Sequence, residues 1–497
     1  MSAVASAPAG TAPSAHPSRP ARPAGAGRLL FLRERGMGAS VLVSALSAAF
    51  GVTLVSTTGY IGAVLQDDPY IGDSETLAFV VGLLSVLLTA VAMYVAAVVT
   101  ANTFSTIVAG RVRRIALLRL IGASARSQRT EVGRQGLVVG VVGAVIGLVG
   151  GIALSTAGIA VGDALLDVAD HGYAVLRPVL ALPAAIVALT TWAAAWVGSR
   201  RVLDVTPLQA LAGSVERTHA SVAHRPARNV LAVVLFAVGA ALLGVGIVGG
   251  LLTPLGILPA FAGGLVSFTG LVLGATSIMP PVLRMVGRWF GSSATARLAA
   301  ENALRHPERS SRMSIGVVMG VTLVTMFAVA TETAKSVLTA NAGGELDDDF
   351  VVIMDTFANI MMVLVAVSAV IAAVGLVNLL TIGVVQRRRE LGLLRALGLS
   401  AAQVRGVVLL EATHITLASL VTGLVLGVAY GWAGAQSLLG SVPAFPGGPS
   451  GSLVMPAVPW APVLAIVAAM AVLTVAAAVA PTRLATSVAP VEALAAD

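Results

Sequence analysis

Ten continuous apolar stretches divide this chain, at about residues 40–63, 77–105, 135–160, 178–198, 229–251, 256–283, 313–333, 357–385, 406–433 and 460–480. Each is long enough to cross the hydrocarbon core of a bilayer, which takes ~20 residues of helix at ~1.5 Å per residue. Unbroken runs of this length read as helices, because a membrane barrel strand would alternate apolar and polar residues over a much shorter span. The composition agrees: 57% hydrophobic residues, 11% charged and a mean hydropathy of +0.93 give more apolar surface than a soluble core could hide. The expected fold class is therefore an all-α integral membrane protein with ten transmembrane helices.

The basic residues set the orientation. With the amino terminus inside, an even number of spans returns the carboxyl terminus to the same side. Of the 31 Lys and Arg, all but Arg177 and Lys335 then fall on the cytoplasmic face, the bias that membrane insertion imposes. The short outer loops are acidic instead, carrying Asp67, Asp68, Asp73 and Glu75, then Asp163, Asp167 and Asp170, then Glu345, Asp347, Asp348 and Asp349. The expected location is a bacterial plasma membrane, with both termini cytoplasmic. The net charge of +8 reports this topology and gives no reason to expect a nucleic-acid partner. Residues 1–39 read as a disordered cytoplasmic tail rich in Ala, Pro and Ser. The apolar segment after it is too long for a cleaved signal.

A heptapeptide occurs twice. Leu117-Leu118-Arg119-Leu120-Ile121-Gly122-Ala123 and Leu393-Leu394-Arg395-Ala396-Leu397-Gly398-Leu399 lie 276 residues apart, each between an Arg cluster and a long apolar run. The same offset places Arg111 on Arg387, Arg113 on Arg389, Ser124 on Ser400, Gly147 on Gly423 and Gly151 on Gly427. Farther on, Val205 to Leu211 matches Val488 to Leu494 at an offset of 283. Spans one to four and seven to ten thus read as one four-helix unit used twice, in parallel orientation, with spans five and six joining the halves. The expected divisions are a tail at 1–39, a first unit at 40–212, a linker with two spans at 213–295 and a second unit at 296–497.

Two features of the unit suggest roles. The third helix of each carries glycines four residues apart, Gly143, Gly147 and Gly151, then Gly423, Gly427 and Gly431. That spacing puts them on one helix face, where a neighbouring backbone can approach closely; a substrate path along the face is the other reading. The heptapeptide itself, led by Arg387, Arg389 and Glu390, reads as a short helix with apolar Leu393, Leu394 and Leu397 and a basic flank that includes Arg395. Gly398 ends it and Ser400 caps the next helix. Arg111, Arg113, Leu117, Leu118, Arg119 and Gly122 form the first copy. Such an element either docks a soluble partner or lies in the inner leaflet with its arginines on lipid phosphates. Glu411, near the start of the third helix of the second unit, either pairs with Arg395 or Arg405 as a brace or faces interfacial water.

The run from Arg387 to Glu411, with its basic cluster, Glu390, the Leu-Leu-Arg-Ala-Leu-Gly motif and Leu410-Glu411-Ala412, resembles the signature region of FtsX-like permeases, the MacB type of ABC transporter membrane subunit. Asn302 to Arg309 resembles that family's entry to its first helix. The first copy is degenerate, with Arg114 at the place of Glu390 and Gln135 at that of Glu411. The resemblance implies that each elbow is a coupling helix seated on a separate ATPase subunit. Two units in one chain resemble the ten-span permeases of bacitracin and lantibiotic resistance, and imply two ATPase copies per chain, with ATP and Mg bound by those partners. Membrane lipid is the other expected partner. The outer loops at 64–76 and 334–356 are short where the family usually carries a large outer domain.

Nothing in the sequence supplies its own engine. A phosphate-binding loop needs exposed glycine amides followed by Lys and Ser or Thr, whereas the sole lysine, Lys335, follows Ala334. His16, His171, His219, His224, His306 and His414 include no pair at metal-ligand spacing on one helix, and cysteine is absent. No catalytic residue, metal site or cofactor is expected, and paired intramembrane acids of the kind that ion-coupled carriers use are not evident. The expected function is the permease subunit of an ABC transporter, coupling ATP hydrolysis by partner subunits to export or extraction of an amphiphile, lipid or peptide, antimicrobial peptides among them. The alternatives are an ABC-driven signalling or cell-envelope regulator that moves no cargo, and a carrier independent of ATPases.

Overall fold

The structure is a computed structural model. It describes residues 37–66, 124–166, 176–199, 226–289, 293–305, 307–343, 388–443 and 451–486, with much of 82–102 and the single positions 362 and 384. Among these residues all regular structure is helical. We number the helices α1 (Met37–Gln66), α2 (Ala125–Leu166), α3 (Ala181–Gly198), α4 (Pro226–Gly250), α5 (Ile257–Gly287), α6 (Ala294–Arg305), α7 (Pro307–Asn341), α8 (Arg388–Ala396), α9 (Ala401–Leu439) and α10 (Trp460–Thr486). Proline opens α4 and α7, and Pro178 and Pro254 open the 3-10 turns that lead into α3 and α5. A first-turn proline forfeits no helical hydrogen bond and presets φ.

Seven of the ten apolar stretches lie in helices long and apolar enough to cross a membrane, namely α1, α2, α3, α4, α5, α7 and α9. Val86–Asn102 and Trp460–Ala476 are shorter apolar helices. The stretch at 357–385 falls almost wholly outside the described residues. The chain is thus a multi-pass membrane protein, all-helical among the described residues. Large apolar side chains face outward along α4, where Val233 is 68% exposed and Val248 62%, as expected for a surface that meets lipid. Residues 77–111 and 356–387, two proline-free runs that could protrude from the membrane as helical stalks, lie largely outside the described residues. Three described helices are long: α2 has 42 residues, α9 39 and α7 35. At ~1.5 Å per residue they run to about 50–60 Å, well past a ~30 Å core.

Close backbone approach builds the packing. A Cβ added at Gly143 would meet the Ser44 Cβ at 2.5 Å, one at Gly147 the Ala45 carbonyl and the Ala48 Cβ, and one at Gly151 the Val52 Cβ at 2.8 Å. The contacts advance together along both chains, so α1 and α2 run parallel. Gly423, Gly427 and Gly431 meet Val321, Thr325 and Met326 in the same manner, which makes α7 and α9 parallel too. α4 and α5 form an antiparallel hairpin whose glycines serve both sides: Gly239 rests on Ser267, Gly246 on Ala260 and Gly270 on Phe236.

The largest cluster of buried side chains centres on α7, where Met313, Val317, Val321 and Val324 pack with Met279 and Leu283 of α5, Ile415 of α9 and Met470 of α10. Val43, Phe50 and Leu54 of α1 share this core. The helical stretch Val86–Asn102 lies against it as well. Tyr94 shares a 2.9 Å hydrogen bond with Thr269 and meets Phe268 edge to face, and the Asn102 amide donates to the Arg312 carbonyl at 2.8 Å.

The glycine contacts give a direct expectation. Gly147→Val forces side-chain carbon onto the α1 backbone and should cost about 1–3 kcal/mol by overpacking. Gly150→Val, on the open face of the same helix with nothing within 4 Å, should cost little. Thermal unfolding of the two purified variants in detergent checks the difference.

Candidate functional site: the elbow and its brace

The second heptapeptide forms α8 and the turn after it. Glu390 sits in the first turn and Arg395 in the last, the arrangement that the helix dipole favours at each end. Gly398 adopts φ 104°, a left-handed conformation open to glycine. The Gly398 N–H donates to the Arg395 carbonyl at 3.1 Å and the Leu399 N–H to the Leu394 carbonyl at 3.1 Å. This pair of bonds is a Schellman turn. Its usual apolar contact is present: Leu394 and Leu399 both pack against buried Val384, Leu391, Val404 and Val408.

The next residue starts α9. Ser400 accepts from the Gln403 N–H at 3.2 Å, and the Gln403 side chain accepts from the Ser400 N–H at 2.8 Å, which completes a capping box. The elbow is thus joined to a 39-residue helix through a turn with little slack. In the first copy, Ser124 accepts from the Ser127 N–H at 3.1 Å and α2 follows. Ser127 stands where Gln403 does and has no amide to return the bond.

The leucines of the elbow divide by direction. Leu394 faces the chain's own core, while Leu393 is 50% exposed and Leu397 72% exposed. Sequence reasoning grouped the three, and the structure leaves two to project outward. Arg389 belongs to α8, but its side chain is outside the described set, and Arg387, Arg111, Arg113, Leu117, Leu118, Arg119 and Gly122 also lie outside the described residues.

Glu411 is buried, and the partner found for it is not one of those expected. Its carboxylate meets the Arg309 guanidinium at 3.5 Å, with side-chain exposures of 4% and 13%. Arg309 stands in the first turn of α7, 102 residues upstream, so the pair joins α9 to α7. One turn on, the His414 Nε2–H donates to the Leu283 carbonyl of α5 at 2.7 Å, and Gly287 leaves room for the ring. Ser311 donates to the Ala275 carbonyl at 3.0 Å and Ser310 to the Ala303 carbonyl at 2.6 Å. The start of α9 is therefore tied to α5 and α7 at once. Sequence reasoning missed Arg309 as a partner, although it closes the Asn302 to Arg309 motif.

The corresponding start of α2 is held differently. Gln135, at the position of Glu411, donates to Glu131 at 3.3 Å. Arg129, at the position of Arg405, lies 4.1 Å over the Trp196 ring of α3, a cation–π contact.

The FtsX-like permease C-terminal family model matches residues 86–207 and again 362–490, together just over half of the chain. The chain belongs to the FtsX-like permease family. No curated protein matches it. The matched segments contain both heptapeptides, together with α2, α3, α8 and α9, whereas α1 and α7, on which the glycine ladders rest, lie before them. Membership points to the permease subunit of an ABC transporter, a kind of protein that works in association with ABC ATPases.

Removing one member of the Arg309–Glu411 pair takes an opposite charge from a largely buried group. Arg309→Met or Glu411→Leu alone should cost about 3–5 kcal/mol. The double variant should cost clearly less than the sum, as a double-mutant cycle on unfolding would measure.

Proposed function

We propose that this chain is the MacB-type permease of an ABC transporter, in which two ATPase subunits dock on the two elbows and drive movement of an amphiphile, lipid or peptide, away from the cytoplasmic side. The observation that carries the reading is the second elbow. It leaves Leu393 and Leu397 uncovered by the rest of the chain, on a nine-residue helix that a Schellman turn and a capping box fasten to a much longer one. An exposed apolar pair on a positioned helix suits a partner's cleft, and the buried ties to α5 and α7 give displacement of the elbow a route into the bundle.

The finer architecture follows the same logic. The chain has ten spans as two parallel four-helix repeats joined by α4 and α5, with divisions near 40, 212 and 296. In support, α1 with α2 and α7 with α9 use one glycine-ladder geometry, and Ser124 and Ser400 cap matching helices. Asn102 bonds to Arg312 near the start of α7, which supports the two elbows lying at one end of the bundle. Both elbows and both termini are cytoplasmic, the membrane is the plasma membrane, and lipid surrounds the bundle. ATP and Mg are held by the partner subunits, and this chain has no enzymatic activity of its own.

Leu397→Asp, with Leu393→Asp beside it, should reduce the bound ATPase from two copies to one per permease while the protein remains folded, because a carboxylate at an apolar contact costs several kcal/mol. Leu394→Asp should instead lower the stability of the permease itself. Mass measurement of the purified complexes reads both outcomes. Undiminished stoichiometry in the Leu393/Leu397 variant contradicts docking at this elbow.

A further inference from the structure

At the end of the bundle away from the elbow, α9 and α7 hold a segment that is not helical. Residues 452–459 run without regular structure between Gly451, at φ 85°, and the start of α10. The side chains that hold this segment bond to its backbone. The Trp432 Nε1–H donates to the Val454 carbonyl at 2.7 Å, and the Gln436 amide donates to the Ser452 carbonyl at 3.0 Å while accepting from the Val454 N–H at 2.6 Å. Thr333 of α7 accepts from the Ala457 N–H at 3.1 Å. Two of the segment's apolar side chains turn away, with Leu453 69% exposed and Met455 83%, while Val454 and Val458 are half-buried.

This chemistry is selective for peptide backbone and indifferent to side chain. Gln436 and Thr333 are fully buried, and Gln436 spends both ends of its amide on one stretch of main chain. With the segment in place its main chain satisfies both ends of the Gln436 amide and the Thr333 hydroxyl, whereas a buried polar group left without such partners would cost on the order of 1–3 kcal/mol. Recognition through main-chain bonds is how proteins capture extended peptides whose sequences vary.

We propose that the groove between the ends of α7 and α9, lined by Thr333, Trp432 and Gln436, is a binding site for the backbone of an extended peptide, and that residues 452–459 fill it in this structure as a displaceable internal occupant. As a cargo site it rests on the transporter reading above and narrows the amphiphile to a peptide. As a binding site it is testable on the purified chain without any ATPase, so the two readings fail separately.

The probe is a fluorescent synthetic peptide with the sequence of residues 451–459, Gly-Ser-Leu-Val-Met-Pro-Ala-Val-Pro. Val454→Pro deletes the N–H that Gln436 accepts and should release the segment. Because the chain has no cysteine, Ala457→Cys reports the release as faster maleimide labelling, expected to rise at least about tenfold, or ~1.4 kcal/mol. The released variant should bind the peptide at least about tenfold more tightly than the parent chain does. Replacing the peptide's Leu and Met with Ala should leave binding unchanged. N-methylation of its first Val should abolish it, and Trp432→Phe, which removes the indole N–H along with the five-membered ring, should weaken it severalfold. The proposal is overturned if Val454→Pro leaves Cys labelling unchanged, if the released chain binds no peptide, if parent and variant bind equally, or if the N-methylated peptide binds as well as the unmodified one.

Discussion

Two helices in hydrocarbon gain nothing by hiding one leucine behind another, since the lipid is as apolar as the side chain it replaces. Their association depends instead on how closely two backbones can approach. In this chain that constraint is met by glycines four residues apart. Gly143, Gly147 and Gly151 seat α1 on α2, Gly423, Gly427 and Gly431 seat α7 on α9, and reciprocal glycines close the α4–α5 hairpin. Along such a seam each glycine sits against particular residues of the neighbouring helix, which opposes sliding of one helix past the other.

The polar contacts are placed where they decide direction. The Arg309–Glu411 pair and the His414–Leu283 bond concentrate near the start of α9, so that the second elbow reaches α5 and α7 together. The start of α2 leans on α3 through Arg129 and Trp196 instead. Gln135 in place of Glu411 removes the charge that an equivalent ion pair would need. The starts of α2 and α9, each within a segment that matches the family model, therefore differ in what holds them.

Much of this was legible from residue order alone, because the deciding signals are local. Apolar run length fixes a span, four-residue glycine spacing fixes a helix face, and Leu-Gly-Leu-Ser followed by Gln403 specifies a helix stop and start within six residues. The rest depends on contacts distant in sequence. Arg395 and Arg405 are nearer to Glu411 along the chain than Arg309 is, and nothing in the sequence says that α7 will bring Arg309 alongside. A short amphipathic helix cannot reveal whether Leu394 or Leu397 turns inward, because both lie on its apolar side and the position of α9 decides. Gln436 and Trp432, near the end of an apolar helix, carry no local sign that they bind the backbone of Ser452 and Val454.

The central claim is that ATP used by partner subunits moves the elbows relative to each other. Spin labels at Arg126→Cys and Ala402→Cys, exposed positions in the first turns of α2 and α9, measure that separation directly in a chain with no other cysteine. In the permease bound to its ATPases, trapping the ATP-bound state should change the distance by several ångström relative to the nucleotide-free complex. An identical distance distribution in both states, with ATPases bound and turning over, contradicts the account.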